Sequence, residues 1–333
     1  MAPKVLVVLV NYKGHNDTVE CLETVLKSNY TNFTVVVVDN SGDNTSINYI
    51  QDWAQGKIVV ETEHPELVHP PISKPLKLSI DSDADFQGEF MESVTILSAT
   101  NRGFAAANNA ALRLARHQDF DFFWLLNNDT VVSRNALSEL VDAASLQSDT
   151  GILGSKLLLY HNPSVLQGVG GNYNKWVGKV HEIGAFEQDR HQWDNKNFRM
   201  DYVIGASMFV SKKFLSSVGV MNEDLFLYYE ELDWALRANK KGWRLGFAPE
   251  SKVYHKGGAS INKSTLKGNS LLSDFYSVRN RILITRKFFP YALTTLYPSF
   301  LMFIWNRIKL KQYSRIGMML RIMIHPKRKF TER

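Results

Sequence analysis

Three features of the 333-residue sequence predict an α/β fold with a mostly parallel central sheet flanked by helices, followed by a C-terminal helical tail. Short continuous runs of branched apolar residues, Val5 to Val10 and Thr34 to Val38, have the pattern of strands buried on both faces. Amphipathic stretches separate such runs in β-α-β order. Beyond Ser273 the pattern becomes helical.

Val5 to Val10 is the first strand. The helix after it carries Val19, Leu22, Val25 and Leu26 on one face, with Asp17 and Glu20 at the spacing of a capping box. The second strand ends in the polar turn Asp39-Asn40-Ser41-Gly42-Asp43. Residues 61–92 then break the rhythm, with four of the ten prolines and the acidic run Asp81-Ser82-Asp83-Ala84-Asp85. They read as an irregular insertion, either a lid or acceptor-binding loop or a solvated loop with no role. Val94 to Leu97 is a third strand, and Asn101-Arg102-Gly103-Phe104 leads into an Ala-rich helix ending near Arg116. The fourth strand, Phe122 to Leu126, runs into Asn127-Asn128-Asp129, after which Ser133 is placed to cap a helix carrying Leu137, Leu140 and Val141.

The second half is less regular. Gly168, Gly170, Gly171, Gly178 and Gly184, with Tyr173 and Trp176, suggest short strands and turns. Met200 to Ser211 reads as a strand followed by a helix to Val218, and Glu230 to Lys241 as a helix closed by Gly242. Arg244 to Ala248 and Lys252 to His255 read as two short strands. No internal repeat is visible.

The net charge of +6 conceals a split. Residues 279–333 hold 13 Lys and Arg against the single acid Glu332, a net +12, so the preceding body carries −6. Such a split points to a localised patch for an anionic surface and argues against a nucleic-acid-coating protein. Cys21 is the only cysteine, which excludes an intrachain disulfide or a Cys-based zinc site and favours a reducing compartment. The six apolar residues ended by Asn11 are too few for a secretory signal.

Ligands of open α/β sheets bind beyond the carboxyl ends of the strands. Asn11, Asp39 and Asp129 each follow a strand within one to three residues, so all three are expected on one rim. A carboxylate there suits nucleobase or ribose donors, and another suits a divalent cation bridging to a diphosphate. The plain alternatives are an Asx-turn role for Asp39 and a helix N-cap role for Asp129. Neither G-x-G-x-x-G nor a P-loop follows the first strand, which argues against dinucleotide-dependent dehydrogenases and P-loop enzymes. Glu230, Glu231 and Asp233 crowd the start of a helix beside Tyr228, Tyr229 and Trp234. Capping explains acids there, yet burial and mutual repulsion would also raise a carboxyl pKa towards that of a general base. His255, before Gly257-Gly258, is a candidate metal or diphosphate contact, a surface histidine being the default.

Taken in order, Val-Asn-Tyr, Val-Asp-Asn-Ser-Gly-Asp, Asn-Arg-Gly-Phe-Ala-Ala-Ala-Asn-Asn, Leu-Leu-Asn-Asn-Asp-Thr, Tyr-Tyr-Glu-Glu-Leu-Asp-Trp and Val-Tyr-His-Lys-Gly-Gly resemble the inverting family 2 glycosyltransferases of GT-A fold. They look most like bacterial rhamnosyltransferase-like members, over roughly residues 3–260. The resemblance implies that Asn11, Asp39 and Asn40 hold the nucleoside, and that Asn101, Arg102 and Gly103 lie near ribose or diphosphate. Asn127, Asn128 and Asp129 then take the D-x-D position, with Asp129 and His255 as contacts for Mg2+ or Mn2+. Asn127 stands where an aspartate is common, which lowers the anionic charge offered to the cation. Glu231 takes the base position, one methylene longer than the usual Asp, with Glu230 and Asp233 as the alternatives.

The implied domains are residues 1–265, with a nucleotide-sugar half (1–130, including the insertion) and an acceptor half (131–265), then the tail 266–333. The implied reaction is transfer of a sugar, best L-rhamnose from dTDP-rhamnose, to a surface polysaccharide or lipid-linked saccharide. A UDP-sugar hexosyl or galactofuranosyl transferase, a sugar-nucleotide nucleotidyltransferase and a non-catalytic glycan- or nucleotide-sugar-binding module are the alternatives. In the tail, Phe288 to Asn306 is uncharged for 19 residues but contains Pro290 and Pro298. Its aromatic and basic residues, and a basic amphipathic stretch from Leu310 to Ile324, fit helices lying in an anionic interface on the inner face of the cell membrane. A homodimer-forming tail and a true span are the other readings.

Overall fold

The computed structural model describes residues 2–147, 149–195, 198–257, 270–328 and 330. β1 (Val5–Asn11) serves two cores at once: Val5, Val7 and Leu9 enter one, Leu6 and Val8 the other. A strand covered on both faces has no polar side, so its sequence is a continuous apolar run. α1 (His15–Val25) covers the first core with Val19, Leu22 and Val25. β2 (Phe33–Asp39) pairs parallel to β1 from Val5 and Phe33 through to Asn11 and Asp39, and α2 (Thr45–Ala54) adds Ile47, Ile50 and Trp53.

After the single turn α3 (Pro65–Val68), β3 (Leu78–Ser82) and β4 (Val94–Ser98) extend the sheet in parallel. α4 (Phe104–Ala115) lays its alanines on the second core, and β5 (Phe122–Asn127) lies parallel to β1 on its other side. The body continues through β6 (Thr130–Val132), α5 (Ala136–Leu146), β7 (Thr150–Leu159), β8 (Asn162–Gly168), β9 (Gly171–Asn174), β10 (Lys179–Glu182), β11 (Ser207–Ser211), α6 (Lys212–Val218), α7 (Glu230–Lys240) and β12 (Arg244–His255). α8 (Leu271–Phe288), α9 (Leu293–Lys309) and α10 (Tyr313–Ile324) form the tail. The sheet order is β3-β4-β2-β1-β5-β11-β7-β12-β6, with β8 beside β7, while β9 and β10 form a separate hairpin. Direction reverses at β5, whose second neighbour β11 is antiparallel.

Five local expectations change. The 61–92 insertion is not wholly irregular, because β3 pairs with β4 and becomes the sheet edge. Asp17 and Glu20 form no capping box: α1 starts after Gly14 without a side-chain cap, and both acids pair with Lys256 at 2.6 and 2.5 Å. A lysine carried in by a distant strand competes successfully with local capping. Ser133 is not a cap either, since its N–H still bonds the Lys252 carbonyl at the sheet edge, and α5 starts after Asn135. Arg244 to His255 is one strand with a register shift between Ala248 and Lys252, and the strand expected over 200–211 is confined to Ser207–Ser211. Gly258, Glu332 and the expected start of the tail at 266 lie outside the described residues.

The tail has its own core of Phe275, Tyr276, Val278, Ile282, Leu296, Phe300, Met319 and Ile322. Buried Asp274 pairs with Arg307 at 2.7 Å and Arg315 at 2.6 Å, joining all three tail helices. Removing one partner of a buried ion cluster strands the others, at a cost of about 3 kcal/mol. Asp274→Ala is expected to lower the unfolding free energy by about that amount in a urea titration, and an unchanged midpoint would contradict the assignment.

Candidate active site

The carboxyl ends of β1, β2 and β5 come together as a buried polar rim. Asn11 and Asp39 are almost completely buried, and Asn11 Nδ2 donates to Asp39 Oδ1 at 2.6 Å. The same Oδ1 accepts from the Ser41 hydroxyl at 2.6 Å. Asn40 Nδ2 donates to Asn101 Oδ1 at 3.2 Å, which also accepts the Gly103 N–H at 3.1 Å. The turn of residues 101–103 is thereby tied to the end of β2. Arg102 is exposed and pairs with Asp83, from the acidic run of the insertion. Beside them, at the ends of β2, β3 and β4, opens a cleft of about 250 Å³ lined by Gly42, Asp43, Ser82, Asp83, Ser98 and Thr100.

Asn128 does not face this cleft. Its amide donates inward to Asn11 Oδ1 (3.2 Å), the Gly14 carbonyl (3.3 Å) and Thr18 Oγ1 (2.9 Å), so it braces β1 against the β5–β6 turn.

Asp129 and His255 are brought together because β12 ends antiparallel to β6, with His255 opposite Thr130. His255 Nε2 lies 3.0 Å from Asp129 Oδ1 and 3.3 Å from Asn127 Nδ2, while Nδ1 faces Gln167 Oε1 at 2.8 Å. The Gln167 oxygen can only accept, so the Nδ1 proton belongs to this bond and the Nε2 lone pair faces the Asp129 carboxylate. A cation beside Nε2 and Asp129 Oδ1 would draw both acceptors in. Asn127 Oδ1 is buried without a hydrogen-bond partner, and a cation would satisfy this oxygen as well. Carboxylate, amide oxygen and imidazole nitrogen, with the far ring nitrogen anchored by Gln167, fit a divalent ion. Burial would raise the Asp129 carboxyl, but His255 and Lys256 outweigh it and hold it below the ordinary value. Asp189, His191 and Asp194 also cluster as a group that could hold a metal ion, with the fully buried Lys156 ammonium, 3.2 Å from Asp189 and 2.6 Å from Asp194, offsetting one of the two carboxylate charges.

The acidic segment opens α7. Its preceding residues Phe226, Tyr228 and Tyr229 have φ of 62°, 69° and 73°, a left-handed conformation costing about 1–3 kcal/mol per non-glycine residue. Glu230 is buried with Oε2 unpartnered. Burial, and then the neighbouring Glu231 charge, raise its carboxyl towards neutrality. Glu231 is raised by burial first and by Glu182 as a further charge. Glu182, at the end of β10, is itself raised by burial, and His255 lowers it. It lies within electrostatic reach of both Glu231 and His255, and nothing in its sequence context marked it. Asp233 is different: it has no exposure, and its two oxygens pair with Arg237 at 2.7 Å and Lys287 at 2.5 Å. A carboxylate so engaged is an anchor for α7 and is closed to an acceptor hydroxyl.

Residues 81–269, more than half of the chain, match the family described as glycosyltransferase like family 2. The chain belongs to that family. This glycosyltransferase is 31% identical over 93 residues to the dTDP-rhamnosyl transferase RfbF of Shigella flexneri, a match covering 27% of this chain and 31% of that one. It is 19% identical over 199 residues to the low-salt glycan biosynthesis hexosyltransferase Agl10 of Haloferax volcanii, covering 59% and 61% of the two. Both matches therefore span less than two thirds of the relatives' own lengths. Among solved structures it resembles GalNAc-T7 with UDP, GalNAc and Mn2+ (TM-score 0.55, 14% identity, 76% of this chain and 44% of that one). It also resembles the mannosyltransferase PcManGT of Pyrobaculum calidifontis with GDP-Man and Mn2+ (TM-score 0.52, 14% identity, 98% and 86%). The fold is GT-A.

Within this glycosyltransferase, Gly103 joins the two halves of the site. Its φ is +96°, and a Cβ there would run into the backbone and ring of Phe226. Gly103→Ala is expected to destabilise the fold by at least about 1 kcal/mol and to lower activity by displacing the acidic segment. Unchanged thermal stability and turnover would show that the contact is not needed.

Proposed function

We propose that the protein is an inverting, cation-assisted glycosyltransferase with Glu231 as base, moving L-rhamnose from dTDP-rhamnose to a hydroxyl of a surface polysaccharide or lipid-linked saccharide. One observation carries the reading: a carboxylate of raised pKa, Glu231, and the Asp129, His255 and Asn127 centre both lie within electrostatic reach of Glu182. The relative named as a dTDP-rhamnosyl transferase supports the donor, and the hexosyltransferase relative supports a UDP-hexose as second reading. A nucleotidyltransferase or a binding module fits neither the family nor a base-like carboxylate.

Asn11, Asp39 and Asn40 orient the nucleoside, and Asn101, Arg102 and Gly103 border the diphosphate. Asp129, His255 and Asn127 would hold Mg2+ or Mn2+, which when bound offsets negative charge on the diphosphate. Glu231 takes the acceptor hydroxyl proton while the oxygen attacks the anomeric carbon from the face opposite the nucleoside diphosphate. The carbon–oxygen bond to the diphosphate breaks with its electron pair, and configuration inverts. Glu230 is buried beside Glu231, while Glu231 keeps part of its surface open, as a base that meets an acceptor must.

The reading extends to the membrane. On α9, Leu301, Met302, Trp305 and Ile308 are exposed along one face, with Lys309 and Lys311 at its end. No described helix is long and apolar enough to cross a bilayer, and an exposed apolar face with basic flanks suits an anionic surface. Such seating, on the inner face of the cell membrane, would bring the site to a lipid-linked acceptor; a homodimer through the same face is the alternative.

Glu231→Gln is expected to lower transfer at least 1000-fold while dTDP still binds, measured by nucleoside diphosphate release and calorimetry. Because a base acts only when ionised and burial raises Glu231, wild-type kcat is expected to fall on acidification near neutrality instead of near the ordinary value of about 4.3. Retained turnover in Glu231→Gln would move the base elsewhere.

A further inference from the structure

We propose that α8 clamps the segment presenting the base, with Asn280 as its positioning residue; the inference rests on Glu231 being that base. Residues 225–229 are strained at three positions; the Tyr229 carbonyl accepts the Asp233 N–H and that of Leu225 the Leu227 N–H, which leaves Leu227 and Tyr228 to be paired from outside the loop. Asn280 supplies the missing donors. It is fully buried, and its Nδ2 lies 2.8 Å from the Leu225 carbonyl, 2.9 Å from that of Leu227 and 2.9 Å from that of Tyr228. Two amide hydrogens are thus shared among three carbonyls of one short loop.

The grip is set from several sides. Asn280 Oδ1 accepts from Arg279 Nη1 at 2.8 Å, and the same Nη1 donates to the Asp224 carbonyl at 2.7 Å, which fixes the amide orientation. Arg281 Nε donates to Tyr229 Oη at 3.0 Å. Phe226 stacks on Tyr276 of α8 with ring centroids 4.8 Å apart, and its carbonyl accepts the Phe104 N–H at 3.0 Å on the opposite side. The loop is therefore held between the donor half of the sheet and the first tail helix, one residue before Glu230. Left-handed residues relax when their outside partners are removed. Relaxation at Tyr228 and Tyr229 re-aims the first turn of α7, and with it Glu231. A displacement of about 1 Å in a reacting group costs about 100-fold in rate. Asn280 acts through the loop and has no contact with substrate in this account.

The test compares full-length Asn280→Asp, which keeps the size and removes the donors, and Asn280→Ser, which keeps one donor, with Arg286→Gln elsewhere on α8 as control. With dTDP-rhamnose, kcat is expected to fall at least about 100-fold in Asn280→Asp and less in Asn280→Ser, with KM and dTDP binding within about threefold of wild type. Amide hydrogen exchange over residues 224–231 is expected to rise in both variants while β1, β2 and β5 stay protected; Arg286→Gln matches wild type in every readout. Wild-type kcat in folded Asn280→Asp overturns the proposal. So does a rise in exchange spread over the whole sheet, which would make α8 a general stabiliser. Should Asn280→Asp fail to fold, Asn280→Ser decides by the same criteria. Should wild type transfer no sugar, the functional reading fails separately, and the exchange measurement, which needs no donor, still decides the clamp.

Discussion

The approach of His255 to Asp129 closes the architecture. The two residues are 126 apart in sequence, and their 3.0 Å contact exists only because β12, after running parallel to β7, ends against the short edge strand β6. Most of the site follows from that closure. It places Asn127 and Gln167 around one imidazole, and it carries Lys256 to Asp17 and Glu20, pinning α1 to the sheet. The polar rim at the ends of β1 and β2 thus shares a scaffold with the second half of the chain.

The second constraint is electrostatic. Glu182, Glu230 and Glu231 are three acids held partly or wholly out of water, each with its carboxyl raised above its ordinary value by burial. Uncompensated acids destabilise a fold, so their persistence beside a centre that fits a cation is best understood as function. The compensation is spatially separated. Lys287 and Arg237 neutralise Asp233 on the far side of the first turn, leaving Glu230 and Glu231 without cationic partners among the described residues.

Much of this was legible in the sequence, for a local reason. Strands covered on both faces must be apolar throughout, so β1, β2, β4 and β5 announce themselves, and residues just beyond their ends fall on the rim by topology. The acids at 230, 231 and 233 were visible as a group, but not the division of labour, because that depends on Arg237 and Lys287 reaching only Asp233. Asp17 and Glu20 looked like a cap because local spacing carries no information about a lysine at 256. Glu182, Gln167 and Asn280 sit in unremarkable sequence, and long-range packing alone gives them their partners. The tail was read through its charge as a membrane element. Its first helix has a second face, buried against the loop that carries the acids, which charge counting does not register.

The central claim is that one cation links the two halves of the chain through Asp129, His255 and Asn127. Pulsed electron paramagnetic resonance of Mn2+ bound with dTDP tests it directly. The account predicts nitrogen modulation from a coordinated imidazole, present in wild type and absent in His255→Ala. A Mn2+ signal without nitrogen coupling, or one unchanged in His255→Ala, would contradict it.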